Sequence, residues 1–147
     1  MAAYGGSDAI DGNMKATGGD TTIGPVVGHG YIMVNDGTTN NVSLHQGGDV
    51  VPIGISAGPS EKDADGTSLV TVGASVSFYP LSGVLYVRAA ASQTFTTGLL
   101  VYCGDGGLAL DSADASGQQL GIYLGTGAAS TTLGDLIPVL CSGVGHV

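Results

Sequence analysis

Few residues of this 147-residue chain have the types and spacing that chemistry requires. The best candidate is the motif Asp63-Ala64-Asp65-Gly66, which carries oxygen ligands of the kind that begin a calcium-binding loop. Such a loop closes with a glutamate at its twelfth position. Counted from Asp63, that position is Ala74. The motif is therefore predicted to be an exposed, solvated loop and not a calcium site.

The histidines and cysteines are too dispersed in sequence to predict a metal site. His29, His45 and His146 lack the His-x-His or His-Glu-x-x-His spacing of metal ligands, and His29 lies between two glycines, as turn residues do. Cys103 and Cys141 have no histidine nearby and cannot complete a zinc site. Because the N-terminus does not resemble a secretion signal, we expect reduced thiols, although the sequence leaves the pairing of the two cysteines open.

Catalytic motifs are not found in the sequence either. It contains no Gly-x-Ser-x-Gly elbow and no phosphate loop ending in Gly-Lys-Ser/Thr. The glycine-rich stretch Gly104-Asp105-Gly106-Gly107 follows no strand-to-helix pattern and predicts a hairpin turn. We therefore expect no enzyme activity, no metal and no cofactor.

Glycine content decides the fold class. The chain has 27 glycines in 147 residues, whereas average usage is about 7%. Inside a helix each glycine costs about 1 kcal/mol relative to alanine. No window of about 12 residues shows helical apolar spacing without a glycine interruption. An all-β fold is the prediction.

The charge balance excludes several classes of partner. Twelve acidic and three basic residues give a formal net charge of −9. The three cations, Lys15, Lys62 and Arg88, lie far apart in sequence. Because binding to nucleic acid or anionic membranes requires clustered Lys and Arg, we expect neither partner. No run of roughly 18 apolar residues predicts a membrane span.

Short apolar runs separated by Gly, Asp and Ser predict the strands. The last part of the chain, between Thr97 and Cys141, has four such runs, at residues 99–103, 108–110, 120–124 and 136–140. Earlier runs lie at residues 23–27, 31–34, 42–45, 50–56, 68–79 and 84–89. Strands of this number and length are typical of a small antiparallel β-barrel or β-sandwich, and the sequence does not distinguish the two.

Alternation and proline give finer predictions about these strands. In residues 84–89, Val84, Tyr86 and Arg88 fall on one face and the intervening residues on the other. Pro52 predicts an edge strand or a strand start for residues 50–56. Residues 80–83 are predicted to form a turn.

The N-terminal segment differs in composition from the rest of the chain. Residues 1–22 are rich in Gly, Asp, Ala and Thr and poor in large apolar side chains. We therefore predict an extended arm over residues 1–22 and one β-domain over residues 23–147. Such an arm becomes ordered most easily on another surface, either a partner in an assembly or the edge of the protein's own sheet.

The chain resembles the small head-decoration proteins of tailed viruses over about residues 50–140. The resemblance rests on turn spacing in residues 96–108 (TTGLLVYCGDGGL), 119–124 (QLGIYL) and 134–140 (GDLIPVL). This chain has Gly98-Leu99 where that family usually has Gly-Asp, and Pro138 falls within the last predicted strand.

The resemblance implies a cement protein. Such proteins form trimers or similar clusters on the exterior of an icosahedral capsid and bridge major capsid proteins of the HK97-like type. It also implies assembly in the host cytoplasm. The arm would face the capsid, with Tyr4, Ile10, Met14 and Ile23 as the candidate contacts.

Two alternatives belong to other classes. An adhesive or receptor- or glycan-binding virion module, similar to a head fibre, needs an exposed pocket with aromatic faces. The chain has no Trp and only 5% aromatic residues, which disfavours that function. A small β-barrel enzyme would bring His, Asp or Cys together in a cleft.

Overall fold

The computed structural model describes residues 15–16, 29–35, 41–46, 51–58, 77–114 and 117–142. Within these ranges the chain forms β-strands and one 3₁₀ turn, with no α-helix, which confirms the all-β prediction. The strands are β1 (Lys15–Ala16), β2 (His29–Asn35), β3 (Asn41–Leu44), β4 (Gly54–Gly58), β5 (Ser77–Pro80), β6 (Ser82–Arg88), β7 (Leu100–Cys103), β8 (Ala109–Leu110), β9 (Gln119–Tyr123) and β10 (Leu136–Ser142). The 3₁₀ turn, Asp105–Gly107, connects β7 to β8.

The first five strands form sheet one, in the order β1-β3-β2-β4-β5. Strands β2 to β5 pair antiparallel, whereas β1 pairs parallel with β3 through Lys15 and Asn41. Because β1 belongs to the predicted arm, this part of the arm pairs with the protein's own sheet. The division at residue 22 stays a prediction.

The other five strands form sheet two, in the order β6-β10-β9-β7-β8. Strands β6 and β10 pair along their whole length, from Leu136 opposite Arg88 to Ser142 opposite Ser82. A parallel bridge between Ala89 and Ala109 joins the end of β6 to β8. The two edges of sheet two therefore meet, and the sheet curls toward barrel closure.

One hydrophobic cluster joins the two sheets. Ile32 and Ile55 of sheet one pack in the same cluster as Leu85, Val101 and Val139 of sheet two. On β6, Leu85 and Val87 are buried and Tyr86 is exposed, so the predicted alternation of this strand is confirmed. Burying one face of each sheet in a shared core accounts for their mutual position.

Two predictions near prolines need correction. The strand predicted at residues 50–56 begins only at Gly54, because Pro52 has no N–H to donate to a ladder. The turn predicted at residues 80–83 is shorter than predicted. Strand β5 ends at Pro80 and β6 begins at Ser82, so the chain changes sheets at Leu81 alone. The side chain of Leu81 is buried in the core, which fixes this corner.

Pro138 does not interrupt β10, although that strand has neighbours on both sides. The ladder between β10 and β9 begins one residue later, where Val139 lies opposite Tyr123. The carbonyl oxygen of Pro138 accepts a hydrogen bond of 3.0 Å from the backbone N–H of Leu124, just beyond β9. The nitrogen of Pro138, which has no hydrogen to donate, therefore lies beside Leu124, just past the end of β9.

Candidate functional site

Sheet two presents an apolar face away from the core, which we call the outer face. Since side chains alternate along a strand, the neighbours of the buried residues on β6 and β10 point outward. Leu100 on β7, Ile122 on β9 and Leu124 just after β9 continue the same surface. We define the outer face as Val84, Tyr86, Leu100, Ile122, Leu124, Leu136, Pro138 and Leu140.

Strand register makes this face continuous. Val84 lies opposite Leu140, Leu140 opposite Ile122, and Ile122 opposite Leu100, so one apolar row crosses four strands. Side chains directly opposite each other have Cβ atoms about 5 Å apart. The register therefore places these side chains next to one another in a row.

A second row runs beside the first. Tyr86 lies opposite Pro138, and the carbonyl oxygen of Pro138 is hydrogen-bonded to the N–H of Leu124. Leu136, two residues before Pro138 on the same face, extends the surface toward Arg88. The two rows together form a surface and not a set of isolated apolar residues.

The outer face exposes considerable area. Tyr86, Leu100, Ile122, Leu124, Leu136 and Leu140 are between 37% and 43% exposed. With full surfaces of about 150–250 Å² for large side chains, the eight residues leave on the order of 500 Å² in contact with water. The largest apolar patch on a typical monomer covers about 300–600 Å² and is often functional. The outer face is therefore a candidate interaction surface.

Charge is absent from the eight residues of the outer face. The carboxylates in the described part of the chain, Asp105, Asp111, Asp114 and Asp135, lie in turns and loops or immediately before β10. Arg88 lies at one corner, where its Nη1 donates a 3.0 Å hydrogen bond to the carbonyl oxygen of Gly134. A partner can thus cover the outer face without burying a carboxylate.

A pocket of about 370 Å³ lies beside this corner, at the seam between the two sheets. The guanidinium carbon of Arg88 lies 5.6 Å from the ring centroid of Tyr31, which is cation–π distance. The pocket is lined by Tyr31, Leu44, Arg88, Gly106, Leu108, Leu133 and Gly134, with no carboxylate, histidine or thiol among them. These groups can hold an apolar side chain, but they provide no general acid–base pair.

The structure gives His45 an internal position and not a ligand-binding one. Its side chain is fully buried, and Nδ1 lies 3.2 Å from the carbonyl oxygen of Gly104. The backbone N–H of Gly107 donates to the carbonyl oxygen of His45. His45 therefore connects the end of β3 in sheet one to the turn between β7 and β8 in sheet two.

Cys103 and Cys141 are buried free thiols. Burial raises the pKa of both from 9.0 to about 12, and the proximity of Cys141 and Asp114 adds to the effect at Cys103. Strand β9 lies between β7 and β10, which puts the two cysteines about 10 Å apart across the sheet. A disulfide requires Cα atoms within about 7 Å. The structure therefore agrees with the expected reduced thiols.

Several predicted positions lie outside the described residues. These are the arm contacts Tyr4, Ile10, Met14 and Ile23, the acidic motif at residues 63–66, and His146. Across the described ranges, no three His, Cys, Asp or Glu side chains gather as metal ligands. The same ranges contain no helix with the length and apolar character to cross a membrane.

Sequence reasoning did not single out the outer face, although one signal for it was present. Residues 136–140 (LIPVL) are apolar at every position, so β10 has no polar side. A strand that is apolar on both sides must cover two surfaces. One is the shared core, and the other is the outer face.

Comparison with known proteins adds no assignment. No family model matches the chain, and a search of curated proteins finds no match.

Proposed function

We propose that this protein is a structural virion protein that binds the outer surface of an icosahedral capsid and cements neighbouring major capsid protein subunits. The observation that carries the proposal is the uncharged outer face on an otherwise acidic chain. This arrangement suits a protein that acts through contacts with other proteins. The turn spacing that resembles head-decoration proteins is the reason for choosing a capsid.

Acidity and apolar area have separate roles in this proposal. The net charge of −9 suits the exterior of the head better than the DNA-filled interior. Each apolar contact can be weak, since many copies linked across capsid joints gain strength by multivalency. Such a role needs no catalytic residue and no cofactor.

The arm supplies a second contact in the proposal. Lys15 and Ala16 pair with β3, so this backbone is able to add a strand to a sheet edge. The same type of pairing can join the arm to a strand edge of a neighbouring capsid subunit. The candidate side chains for that contact remain Tyr4, Ile10, Met14 and Ile23.

The proposal is tested on tailed-virus heads from which the protein has been stripped. We expect added protein to bind at a saturable number of copies per head, and the heads to release DNA at a higher temperature than bare heads. Absence of binding, or binding that leaves the release temperature unchanged, contradicts cementing. Co-sedimentation gives the stoichiometry, and a DNA-dye assay gives the temperature.

An adhesive or glycan-binding module is the alternative function. The seam pocket contains one aromatic ring, Tyr31, and the Arg88 guanidinium covers one side of it. Sugar stacking on that ring is therefore limited. Binding of the purified protein to a glycan array, together with no affinity for heads, would favour the adhesive module.

A further inference from the structure

We propose that the seam pocket binds a small organic monocarboxylate, in which an aromatic or aliphatic body carries one carboxylate group. The pocket shares no lining residue with the outer face. This site is therefore separate from the proposed capsid contact and does not depend on the capsid role. The proposal rests on the size of the pocket, its lining and the way in which its charged side chain is held.

The walls of the seam pocket suit a small ligand with an apolar body. Its volume is about 370 Å³, near the lower end of the range of about 300–1,000 Å³ for small-molecule sites. Tyr31 and Leu44 line it from sheet one, and Leu108 and Leu133 line it from the loops of sheet two. Small-molecule sites typically combine such apolar walls with a few polar groups that orient the ligand.

Arg88 supplies the polar group that can orient a ligand, and three contacts hold it in place. Its guanidinium carbon lies 5.6 Å from the centroid of the Tyr31 ring, and its Nη1 donates a 3.0 Å hydrogen bond to the carbonyl oxygen of Gly134. Its aliphatic stem passes Gly30 of β2 so closely that an added methyl there would lie 3.1 Å from Cγ. A ligand therefore meets a cation that is already in position, which lowers the entropic cost of binding.

The charge of Arg88 favours an anionic ligand. The Tyr31 ring and the Gly134 carbonyl group are neutral, so they position the guanidinium without neutralising its charge. An uncharged ligand in the pocket would displace water from the guanidinium and return no negative charge, which is unfavourable. A carboxylate would form a charge-assisted hydrogen bond instead. Since guanidinium has five N–H donors, it can bind a backbone carbonyl and a carboxylate together.

The nearest carboxylates in sequence do not line the pocket. Asp105 precedes Gly106 and Asp135 follows Gly134, yet only the two glycines are lining residues. The Oδ2 of Asp135 instead accepts a 2.8 Å hydrogen bond from the backbone N–H of Thr132. Among the residues that the structure describes, Arg88 is thus the only charged side chain in the lining. One cation matches one negative charge, so a monocarboxylate fits the pocket better than phosphate does.

The test is an NMR titration of the isotope-labelled protein with phenylacetate, with its uncharged isostere phenylacetamide and with inorganic phosphate. Phenylacetate is expected to cause saturable shifts at the amides of Tyr31, Leu108 and Gly134 and at the Nε–H of Arg88. It should bind at least ~10-fold more tightly than phenylacetamide, the change expected when a hydrogen bond loses its charged partner. Phosphate should bind more weakly than phenylacetate.

Two exposed leucines give a matched pair of variants. Leu133 is 64% exposed and lines the pocket, whereas Leu99 is 61% exposed and does not. Leu133→Thr should weaken phenylacetate binding at least ~3-fold, because it removes apolar wall, and Leu99→Thr should leave it unchanged. Arg88→Gln should lower the affinity for phenylacetate to that for phenylacetamide, and its unfolding midpoint shows whether it is folded.

Four results would each overturn the proposal. They are no saturable shift up to about 10 mM phenylacetate, equal affinities for the acid and the amide, an unchanged affinity in Leu133→Thr, and a folded Arg88→Gln that binds phenylacetate like wild type. None of them bears on whether the protein binds and stabilises viral heads, so failure here is distinct from failure of the capsid role.

Discussion

Gly121 lies where β10 leaves no space beside β9 for a side chain. A methyl group there would overlap the carbonyl oxygen of Leu140, which belongs to the backbone and cannot rotate away. Gly121 also lies beside the bulge of β9, where the register with β7 shifts. The absence of a side chain is thus required by backbone packing, as is common at bulges.

We predict that Gly121→Ala lowers the free energy of unfolding by about 1–3 kcal/mol, the usual cost of overpacking. Urea unfolding followed by circular dichroism measures the change. The matched control is Gly127→Ala, because a methyl at Gly127 meets only the carbonyl oxygen of Phe95 at 3.7 Å. That control should change stability by no more than about 0.5 kcal/mol. Equal effects of the two substitutions would show that close packing at Gly121 is not the cause.

The buried thiols predict a loss of stability in alkali. Burial raises the pKa of Cys103 and Cys141 from 9.0 to about 12 in the folded protein. Above pH 9 the unfolded chain releases both protons, whereas the folded chain keeps them until about pH 12. The folded state then binds more protons than the unfolded state, so stability falls as pH rises through this window. The free energy of unfolding is expected to fall by about 1.4 kcal/mol per pH unit for each thiol.

The measurement for this prediction is urea unfolding at a series of pH values from neutral to alkaline. The double variant Cys103→Ala/Cys141→Ala should be less stable at neutral pH because it loses packing, yet its stability should fall less steeply above pH 9. The variant also shows how much of the wild-type slope other groups contribute. Identical slopes in the two proteins would contradict the assignment to the thiols.

At the scale of elements, Thr131 links the loop that precedes β10 to the loop that follows β6 through hydrogen bonds. Its Oγ1 donates a 2.6 Å hydrogen bond to the carbonyl oxygen of Ala90 and accepts one of 2.9 Å from the N–H of Gln93. Its backbone also pairs with Ser92 and Gln93. One side chain thus satisfies two backbone groups in the segment that follows β6.

We predict that Thr131→Val destabilises the protein by about 1–3 kcal/mol, because a part-buried backbone N–H and a part-buried carbonyl oxygen lose their partner. Amide hydrogen exchange at Gln93 should become faster by more than the loss in global free energy of unfolding alone explains. Thr132→Val is the control, since Thr132 is exposed and its hydrogen bonds with Asp135 use its backbone N–H and carbonyl oxygen. If both variants lose the same free energy of unfolding and show the same exchange at Gln93, the Thr131 hydroxyl does not hold the two loops together.

Turn spacing predicted most elements of sheet two, and packing decided the exceptions. Residues 84–89 alternate and lie between turn signals, so one face could be assigned to the core from sequence. A turn was predicted at residues 80–83, but its reduction to Leu81 alone was not, because a one-residue change of sheet depends on a buried side chain. Pro138 within β10 likewise depends on where β9 ends. The outer face was not predicted, because residues 136–140 are apolar at every position and show no alternation that assigns a face.

At the scale of the whole molecule, the two sheets share one core and are also linked by hydrogen bonds at His45. Ile32 and Ile55 of sheet one pack into the cluster that fills sheet two. Gly107, in the turn after β7, leaves no space for a side chain, because a methyl there would press on the backbone of Ile32. The fully buried His45 adds the contact between Nδ1 and the Gly104 carbonyl oxygen. Such shared packing predicts that both sheets unfold together.

His45→Ala tests this cooperativity, because it removes the side-chain contact with Gly104 and leaves a cavity between the sheets. We predict a loss of about 2–4 kcal/mol, with the transition still single. Amide exchange should show the protection of β2 and of β9 falling by the same amount, since one global unfolding event exposes both strands. Gln46→Ala, at the exposed neighbouring position, should leave both strands as protected as in wild type. If His45→Ala instead releases β2 while β9 keeps its protection, the sheets are separate folding units, and sheet two alone carries the outer face.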